Sequence, residues 1–450
     1  MSELPDGWQE VPLSEVTDKI GSGATPKGGH AAYSSSGTPF IRSQNVHFSG
    51  FADVGLAYLD DMQARKLDGA TVRSDDVLLN ITGASIGRVT VAPERMDGAR
   101  VNQHVAIIRT TEGIEPVFVA KFLASPPIQQ FIVAENYGVT RQALTKAMIE
   151  EIELPVPPLP EQRRIVAKIE SLAGKSRRAR DHLDHIPRLV DKYKQAVLAA
   201  AFRGDLTSSD RVAQGWPDWT FERAADVCAK VQSGGTPKEG FETTGVPFLK
   251  VYNIVDQSVS FDYRPQFVTP SVHAGELRKS IALPGDVLMN IVGPPLGKVA
   301  IVPTTYPAWN LNQALTLFRP SARVGTKWLY HFLCSGLSVT EIANETKGSA
   351  GQVNISLSQC RNFMFPVPSS AEQEEIIRRI ETALNWIDRL ASDANSARKL
   401  IDRLDQSVLA KVFRGKLLPQ DPTDEPASAL LERIRAGRDT AAKVKQGRRG

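Results

Sequence analysis

The stretch Arg188–Leu206 reads RLVDKYKQAVLAAAFRGDL, and 211 positions later Lys399–Leu417 reads KLIDRLDQSVLAKVFRGKL. Ten of the 19 positions are identical. Amphipathic composition alone does not preserve the same Phe-Arg-Gly ending twice, so the two stretches indicate an internal duplication. A duplicated chain can place two similar surfaces about an internal pseudo-twofold axis, which suits the reading of two separated pieces of a long, regular ligand.

The duplication extends over half the chain. Five further motifs recur in the same order with an offset of 208 to 211 positions, so the repeating unit is far longer than a solenoid repeat. The halves differ most between these motifs, which predicts two related modules with different surfaces. The paired motifs are Ser22–Lys27 and Ser233–Lys238, Thr38–Asn45 and Val246–Asn253, Asp76–Gly87 and Asp286–Gly297, Val101–Gln103 and Leu311–Gln313, and Leu154–Gln162 and Phe365–Gln373.

Composition narrows the class of protein. A chain of 450 residues can hold two to four domains with cores of their own. No run of 18 apolar residues and no signal-peptide pattern occurs, so we expect a cytoplasmic protein with no membrane segment. The three cysteines, Cys228, Cys334 and Cys360, form no C-x-x-C pair, which excludes a disulfide framework and a typical zinc site. A net charge of +4 permits nucleic-acid binding without arguing for it.

Each half predicts a mixed α/β module followed by a long helical segment. Short β-rich pieces broken by Gly, Pro and Ser alternate with helical signals, and proline-rich hinges end each module. The tail helix, at about 427–442, could dock on the helical segments or on a partner, although a loosely packed end is the simpler expectation. The predicted ranges are 1–158 for the first module, 159–206 for its helical segment, 207–368 for the second module, 369–418 for its helical segment, and 419–450 for a tail with a short helix.

Apolar residues at 3-4 spacing run along both helical segments. One such stripe could belong to an ordinary surface helix, but two matching stripes predict an antiparallel coiled coil. Each segment of ~45 residues spans up to ~65 Å, comparable to one or two turns of duplex DNA at ~34 Å per turn. The predicted seam residues are Ile169, Leu172, Leu183, Ile186, Val190 and Val197 in the first segment and Ile380, Ile387, Leu390, Ile401, Leu404 and Val408 in the second.

Local signals mark where these helices begin, bend and end. Ser369 with Glu372, or Ser370 with Gln373, fits a capping box at the start of the second segment. Pro187 predicts a kink in the first segment. Gly204 and Gly415 stand where each helix is expected to stop.

The sequence carries no catalytic signature. Gly21 and Gly23 are followed by Pro26, which breaks the dinucleotide-binding fingerprint, and neither glycine-rich stretch contains G-K-[ST]. H-E-x-x-H and G-x-S-x-G are both missing. We therefore predict a chain that is not an enzyme and holds no metal.

The paired motifs together resemble the specificity subunit of type I restriction–modification systems. The resemblance is carried by Pro155–Pro157 with Glu161 and Gln162, by Ser22–Lys27 and by Gln195–Gly204, each with its second-half partner, and it covers nearly the whole chain. It implies two target-recognition domains that alternate with two helical regions, paired as an antiparallel coiled coil that sets a spacer. It also implies a non-catalytic subunit that reads a bipartite, asymmetric site on double-stranded DNA.

The resemblance further implies partners. We expect two methyltransferase subunits that use S-adenosylmethionine, and ATP-dependent restriction subunits that join through the assembled complex. No cofactor is expected in this chain. Two rival hypotheses remain: a standalone DNA-modifying enzyme, which would need a chemical site in this chain, and a coiled-coil scaffold that binds proteins without DNA selectivity.

Polar and basic loop residues are the candidates for DNA contact, because base edges in the major groove and phosphates are recognised by such groups. Residues that recur in both modules, such as Asn45 and Gln103, are better suited to holding the scaffold or a phosphate than to specifying a base. Asn80 and Asn290 are expected to be buried, hydrogen-bonded amides, and Lys27 and Lys238 could equally be turn lysines. The candidates are Lys27, Arg42, Gln44, Asn45, His47, Arg88 and Arg141 in the first module and Lys238, Lys250, Tyr252, Asn253, Lys298 and Lys347 in the second, of which His47, Arg141 and Tyr252 are the best suited to base discrimination.

Overall fold

The fold is described by a computed structural model covering residues 4–26, 28, 33–136, 143–345 and 354–447. The chain forms two compact units. The first contains Met1–Leu183 and Ser396–Gly450, and the second contains Asp184–Asn395. The first unit is therefore built from both ends of the chain, and both helical segments are divided between the units.

The first module holds eleven strands and four helices within its described residues. They are β1 (Gln9–Pro12), β2 (Thr17–Ser22), β3 (Thr38–Ile41), β4 (Val46–His47), β5 (Gly50–Phe51), β6 (Ala57–Leu59), α1 (Asp61–Lys66), β7 (Val77–Asn80), β8 (Val89–Val91), β9 (Arg100–Val101), β10 (Val105–Thr110), α2 (Pro116–Leu123), α3 (Pro126–Asn136), α4 (Lys146–Glu150) and β11 (Glu153–Val156).

The rest of the chain begins with three helices, repeats this order with one additional short helix, α8, and closes with two more helices. The elements are α5 (Leu159–Asp184), α6 (Ile186–Phe202), α7 (Ser208–Gln214), β12 (Thr220–Arg223), α8 (Ala224–Val227), β13 (Lys230–Ser233), β14 (Val246–Leu249), β15 (Ile254–Val255), β16 (Ser258–Val259), β17 (Phe267–Val268), α9 (Pro270–Ala274), β18 (Val287–Asn290), β19 (Val299–Ile301), β20 (Asn310–Leu311), β21 (Leu315–Arg319), α10 (Thr326–Cys334), α11 (Leu337–Glu345), α12 (Leu357–Arg361), β22 (Met364–Val367), α13 (Ser370–Val412) and α14 (Ala427–Gly447).

The same sheets occur in both units. Each has a four-stranded antiparallel sheet, in the order β2-β10-β7-β8 in the first and β13-β21-β18-β19 in the second. Three-stranded sheets follow the same plan, β6-β3-β9 and β17-β14-β20. The mixed α/β class and the repeat expected from the sequence are thus confirmed.

One of the two central strands of each large sheet, β7 or β18, is buried on both faces. In β7, Val77 and Leu79 point into one apolar cluster while Leu78 points into another. In β18, Val287 and Leu288 divide in the same way. Successive side chains of a strand point to opposite faces, so a run of apolar residues requires cover on both sides of the sheet.

The Phe-Arg-Gly endings supply part of that cover. Phe413, just after α13, lies edge-on to Phe118 and Phe122 of α2, with ring centroids 5.3 and 5.2 Å apart. Phe202, at the end of α6, contacts Trp328 and Phe332 of α10 in the same way, at 5.0 and 5.2 Å. Each helical segment therefore ends on the module that did not precede it in the chain, which explains why the first unit needs both chain ends.

The local helix signals are confirmed in part. α5 ends at Asp184 and α6 begins at Ile186, with Pro187 in the first turn, where proline is tolerated. Gly204 and Gly415 follow their helices with φ of +82° and +64°, which glycine adopts without strain. At the start of α13, the Ser369 hydroxyl accepts a hydrogen bond from the Glu372 backbone N–H at 3.3 Å. The expected reciprocal bond from the Glu372 side chain is replaced by other partners.

A buried glutamate–glutamine pair at each hinge makes these other contacts. Trp8 Nε1 donates to Glu161 at 3.0 Å, and Trp219 Nε1 donates to Glu372 at 2.9 Å. The following glutamines, Gln162 and Gln373, each donate to a hinge proline carbonyl at 3.0 Å. All four polar side chains of these pairs are buried. Each helix is thereby fixed to the tryptophan just before the first strand and to the proline hinge of its own module.

The two glutamates differ in their electrostatics. Burial raises the pKa of Glu161, and the Trp8 hydrogen bond offsets this only in part. Burial also acts to raise the pKa of Glu372, but hydrogen bonds from Arg211 and its neighbours outweigh it, so that pKa is lowered. Arg211 Nη2 lies 2.7 Å from the Glu372 carboxylate. The first hinge therefore holds a carboxylate whose charge is costly, and the second holds one whose charge is paired.

The tail helix corrects the expectation of a loosely packed end. Leu430 and Leu431 of α14 are buried in the main core of the first unit. Arg438 donates to the carbonyls of Ser14 and Thr17 at 2.8 and 2.7 Å. The apolar stripe of this helix is short, so its sequence did not reveal that the first unit offers it a matching surface.

Membrane-spanning potential is limited among the described residues. No single helix there is both long and apolar enough to cross a bilayer. The bent helix pair Pro116–Leu123 and Pro126–Ala134 together has the length and composition of a bilayer span, on those two criteria alone.

We predict that the two hinge glutamates respond oppositely to neutralisation. Glu372→Gln should lower the free energy of unfolding by about 2 kcal/mol at pH 7, because Arg211 loses its charged partner. Glu161→Gln, the matched control, retains an acceptor for Trp8 and should leave stability unchanged or raise it slightly. Urea denaturation measures both variants.

The pH dependence follows from the sign of the shift. The folded-state pKa of Glu372 is lowered, so its stabilising contribution is complete above its ordinary pKa of 4.5 and is lost as the pH falls through the folded-state value. The difference between wild type and Glu372→Gln should therefore shrink below pH 4.5. Equal losses for both variants at pH 7, or a difference that grows in acid, would contradict this account.

Candidate functional site

Strand direction gathers the candidate loops at one end of each large sheet. Antiparallel neighbours place the ends of β2 and β7 beside the starts of β10 and β8. β3 runs parallel to β9, and the Asn102 N–H donates to the Ile41 carbonyl at 3.1 Å, so the loops after both strands join the same end. We call residues 22–26, 42–47, 81–88 and 102–104 the first loop surface, and their counterparts 233–237, 250–255, 291–298 and 312–314 the second loop surface.

The Ser-Gly-x-Thr-Pro motif docks on the Asn-Gln motif in both surfaces. A Cβ on Gly23 would lie 1.7 Å from the Val101 carbonyl oxygen, and one on Gly234 would lie 2.0 Å from that of Asn312, so only glycine fits. The Thr25 hydroxyl donates to Gln103, and the Thr236 hydroxyl donates to Gln313 at 2.6 Å. Two motifs separated by nearly 80 positions are thereby joined at the surface.

The shared asparagines hold the next loop. Asn45 accepts a hydrogen bond from the Arg42 N–H at 3.0 Å and donates to the Ala52 carbonyl at 2.8 Å. Asn253 accepts from the Lys250 N–H at 3.0 Å and donates to a following carbonyl at 3.2 Å. Both amides are buried. Their visible role is to fix the turn that carries Arg42 or Lys250, and their predicted contact with DNA stays a prediction.

The expected burial of Asn80 and Asn290 is confirmed. Asn290 is satisfied by the Lys298 N–H at 2.6 Å and by the Pro295 carbonyl at 2.9 Å. Asn80 donates to the Ser43 carbonyl at 2.8 Å, but its Oδ1 is buried with no partner among the described residues. The two surfaces therefore differ at this position: Asn290 Oδ1 accepts a backbone hydrogen bond, whereas the equivalent Asn80 Oδ1 accepts none from the described residues.

Each turn presents a cation that packs on an aromatic ring. The Arg42 guanidinium lies 5.2 Å from the centroid of Tyr33, and Lys250 Nζ lies 4.1 Å from that of Phe241. Such contacts stabilise a cation at a partly desolvated site. Burial lowers the pKa of Lys250. No sequence motif marks Tyr33 or Phe241, because both lie between the duplicated motifs.

Around these turns the two surfaces carry different groups. In the first, His47 Nε2 donates to the Gln44 carbonyl at 2.8 Å, which leaves Nδ1 to face Arg88 Nη1 at 3.5 Å. In the second, the Tyr252 hydroxyl donates to the Arg264 carbonyl at 3.2 Å, and Lys298 Nζ donates to the Ile254 carbonyl at 3.4 Å. The backbone plan is common to both surfaces, while the chemical groups that it displays are not.

The remaining basic candidates are placed as follows. Lys238 is exposed, and its backbone N–H donates to Glu276 at 3.3 Å. Lys27, Arg141 and Lys347 lie outside the described residues. Among the described residues, no group of three or more His, Cys, Asp or Glu side chains could hold a metal ion.

Comparison with known proteins identifies the family of this chain. The sequence profile of the type I restriction modification DNA specificity domain matches residues 5–180 and 217–395. The chain belongs to this family. The two matched ranges correspond to the two halves of the duplication, and each takes in one module with the beginning of the helix that follows it.

Relatives in this family cover the full length of the chain. The specificity subunit of the type I restriction enzyme EcoBI from Escherichia coli is 25% identical over 477 aligned positions, covering 99% of this chain and 95% of the relative. The EcoKI specificity subunit from Escherichia coli K12 is 25% identical, with 99% of each chain covered. The StySPI specificity subunit from Salmonella potsdam is 24% identical over the same shares.

Solved structures share the fold. The HsdS subunit from Thermoanaerobacter tengcongensis superposes with a TM-score of 0.61 at 23% identity, covering 92% of this chain and 98% of that one. A chain from a structure of the type I restriction–modification system, described by its complex assembly and conformational transition, superposes with a TM-score of 0.65 at 22% identity. The match covers 93% of this chain and 100% of that one. At this identity the likeness concerns the fold alone.

The helical segments of this family member are more polar than the predicted seam. Buried seam residues are Ile169, Ile380 and Ile387, whereas Leu390 and Leu404 are 43% and 56% exposed. The other predicted seam residues are half-buried: Leu172, Leu183, Ile186, Val190, Val197, Ile401 and Val408.

Polar contacts, which the apolar pattern did not predict, join the helices within each unit. In the first unit, Arg180 pairs with Asp402 and Asp405 at 2.8 and 2.6 Å, and Ser176 donates to Asp405 at 2.7 Å. In the second, Lys194 pairs with Asp388 at 2.5 Å.

We predict that the shared asparagine is structural. Asn45→Ala should lower the free energy of unfolding by about 2 kcal/mol, because the Arg42 N–H and the Ala52 carbonyl lose their buried partner. The neighbouring Gln44 is exposed and donates one hydrogen bond to Gly55, so Gln44→Ala should cost less than about 1 kcal/mol. Chemical denaturation of the two variants compares them, and similar losses would rule out a supporting role specific to Asn45.

Proposed function

We propose that this chain is the non-catalytic DNA specificity subunit of a type I restriction–modification complex. Each module reads one half of a bipartite, asymmetric site on double-stranded DNA. The observation that carries this function is the pair of loop surfaces, which share one backbone plan and display different groups. The full-length relatives, all named type I specificity subunits, support the same function.

In this proposal, residues shared by the two modules contact phosphates, and residues that differ between them contact base edges. Contacts to phosphate position a protein on the duplex, and contacts to base edges in the major groove specify sequence. Arg42 and Lys250 occupy equivalent positions, as do Gln44 and Tyr252, and these side chains have different hydrogen-bonding capacities. A duplex whose two half-sites differ is the ligand that fits such a pair of surfaces.

The helical segments act, in this proposal, as an antiparallel coiled coil that sets the distance between half-sites. Within the first unit, Ser176 meets Asp405 and Arg180 meets Asp402, so position numbers rise along one helix as they fall along the other. α13 is a single helix of 43 residues, equivalent to about 65 Å of rise. A rod of this length leaves an unread spacer between the bases that the modules contact.

Catalysis belongs to partners in this proposal. Two methyltransferase subunits, one for each half of the pseudo-twofold repeat, dock on the specificity subunit and use S-adenosylmethionine. Restriction subunits, which use ATP, join through the assembled complex. The specificity subunit itself binds neither cofactor, and the complex works in the cytoplasm, where the host DNA lies.

The rival function, a protein-binding scaffold without DNA selectivity, accounts for the helical segments alone. It gives no reason why two modules should keep buried asparagine turns and glycine-dependent loops in common while changing the groups around them. A standalone modifying enzyme would show methyl transfer by the purified chain without partners. Selective retention of one DNA sequence by the methyltransferase complex would exclude the scaffold.

A module exchange tests the assignment of half-sites. Replacing residues 1–158 with the corresponding module of another family member should change one half-site and leave the other intact. The donor should carry aromatic residues at the positions of Phe118 and Phe122, so that Phe413 retains its contacts. Sequencing of methylated bases in host DNA reads out both half-sites. The reciprocal exchange of residues 207–368 is the control, and a change in both half-sites from either exchange would contradict modular reading.

A helix deletion tests the spacer. Removing residues 174–180 and 402–408 together shortens both segments by one heptad, about 10 Å of helix rise. We expect the methylated site to keep both half-sites and to lose about three base pairs of spacer, at ~3.4 Å per base pair. Deleting only one of the two heptads should abolish activity through mismatch of the paired helices. A double deletion that methylates the original spacer would refute the proposed coiled coil.

A further inference from the structure

Arg264 has a backbone conformation that arginine rarely adopts. Its φ is +53°, in the left-handed region where a Cβ is strained. Pro265 follows it, and a proline biases the preceding residue towards extended backbone, which adds to the strain. Strained residues persist where the surrounding structure holds them, and they concentrate at functional sites.

The first module has glycine at the equivalent position. Gln44 Nε2 donates to the Gly55 carbonyl at 2.9 Å, and the Tyr252 hydroxyl donates to the Arg264 carbonyl at 3.2 Å. Gln44 and Tyr252 directly precede the shared asparagines, so the two acceptors correspond. Gly55 has φ of +71° and bears no side chain to strain. The loop therefore needs only the carbonyl, and the arginine side chain is an addition made in the second module.

That side chain is exposed and held in place. The Arg264 guanidinium lies 5.1 Å from the centroid of the Tyr263 ring, and Tyr263 is 53% exposed. Tyr263 in turn lies edge-on to Tyr252, with centroids 6.1 Å apart, and its carbonyl accepts a hydrogen bond from Asn253 at 3.1 Å. A planar cation stacked on an anchored ring loses less freedom on binding than a free arginine does.

Other left-handed residues in the described chain have local explanations. Gln257, with φ of +58°, accepts a hydrogen bond from the Val299 N–H and another from the Tyr330 hydroxyl. Asp75 and Asp256 are aspartates, which enter this region more readily than most residues. Within the part of the chain that the structure describes, the Arg264 guanidinium makes no hydrogen bond to the loop, and it packs on the Tyr263 ring.

We propose that Arg264 is a specificity-determining residue of the second module and reads a guanine in its half-site. This rests on the proposed function. Arginine recognises guanine through paired hydrogen bonds to O6 and N7 in the major groove, which requires a fixed position and plane for the guanidinium. A phosphate contact tolerates a mobile side chain and would give no reason to hold arginine in a strained conformation. Tyr252, whose hydroxyl donates to the Arg264 carbonyl at 3.2 Å, belongs to the second loop surface.

Arg264→Gly tests this directly, because it restores the residue of the first module and relieves the strain. In the complex with its methyltransferase subunits, discrimination for guanine at one position of the second half-site should fall about tenfold or more. The first half-site and the spacer should be unchanged. The midpoint of thermal unfolding should stay the same or rise by up to about 3 °C, which excludes misfolding as the cause.

Asp256→Gly is the matched control. Asp256 is exposed at the β15–β16 turn with φ of +47°, so the substitution relieves comparable strain in the same module without removing Arg264. It should leave both half-sites intact. A wild-type complex without a bipartite site would refute the proposed function itself. A bipartite site that Arg264→Gly leaves unchanged, that it weakens equally for all sequences, or that Asp256→Gly alters in the same way would overturn the role of Arg264 alone.

Discussion

A buried glutamate–glutamine pair at each hinge joins a module to the helix that follows it. A charged or amide side chain removed from water must find partners, because an unpaired buried polar group costs free energy. Glu161 and Glu372 accept from the indole N–H of a tryptophan just before the first strand of their module, and Gln162 and Gln373 donate to a carbonyl of the proline hinge. These bonds give the helix a defined start relative to the module, so a loop surface at the far end of the sheet inherits a defined direction.

The Phe-Arg-Gly endings attach the other end of each helical segment to a module. Phe202 and Phe413 bring the end of each helical segment onto the helix that follows the large sheet of the other module. Each unit thus receives the start of one segment and the end of the other. The proposed spacer depends on these contacts, because they fix the start and the end of each helical segment on a module. The loop surfaces can then diverge without disturbing the frame, as the glycine at Gly55 and the arginine at Arg264 illustrate.

Much of this architecture could be predicted because the information is local or repeated. The duplication, the mixed α/β class, the helix stops at Gly204 and Gly415 and the break at Pro187 are properties of short stretches. The burial of Asn80 followed from an amide inside an apolar strand. Contacts between distant positions could not be predicted, since nothing in one stretch marks its partner: Phe118 and Phe413 are 295 positions apart. The same reason hid the docking of α14, the side-chain partners of Glu372, and the aromatic residues under Arg42 and Lys250. Arg264 could not be singled out from the sequence, because its unusual feature is a positive φ angle.

We propose that two modules with unlike loop surfaces contact one duplex at a fixed separation. Mapping of methylated bases in the DNA of a host that carries the wild-type complex is the test. We expect one bipartite motif with two different half-sites and an unread spacer of constant length. A continuous motif, two identical half-sites, or a spacer that varies from site to site would contradict it.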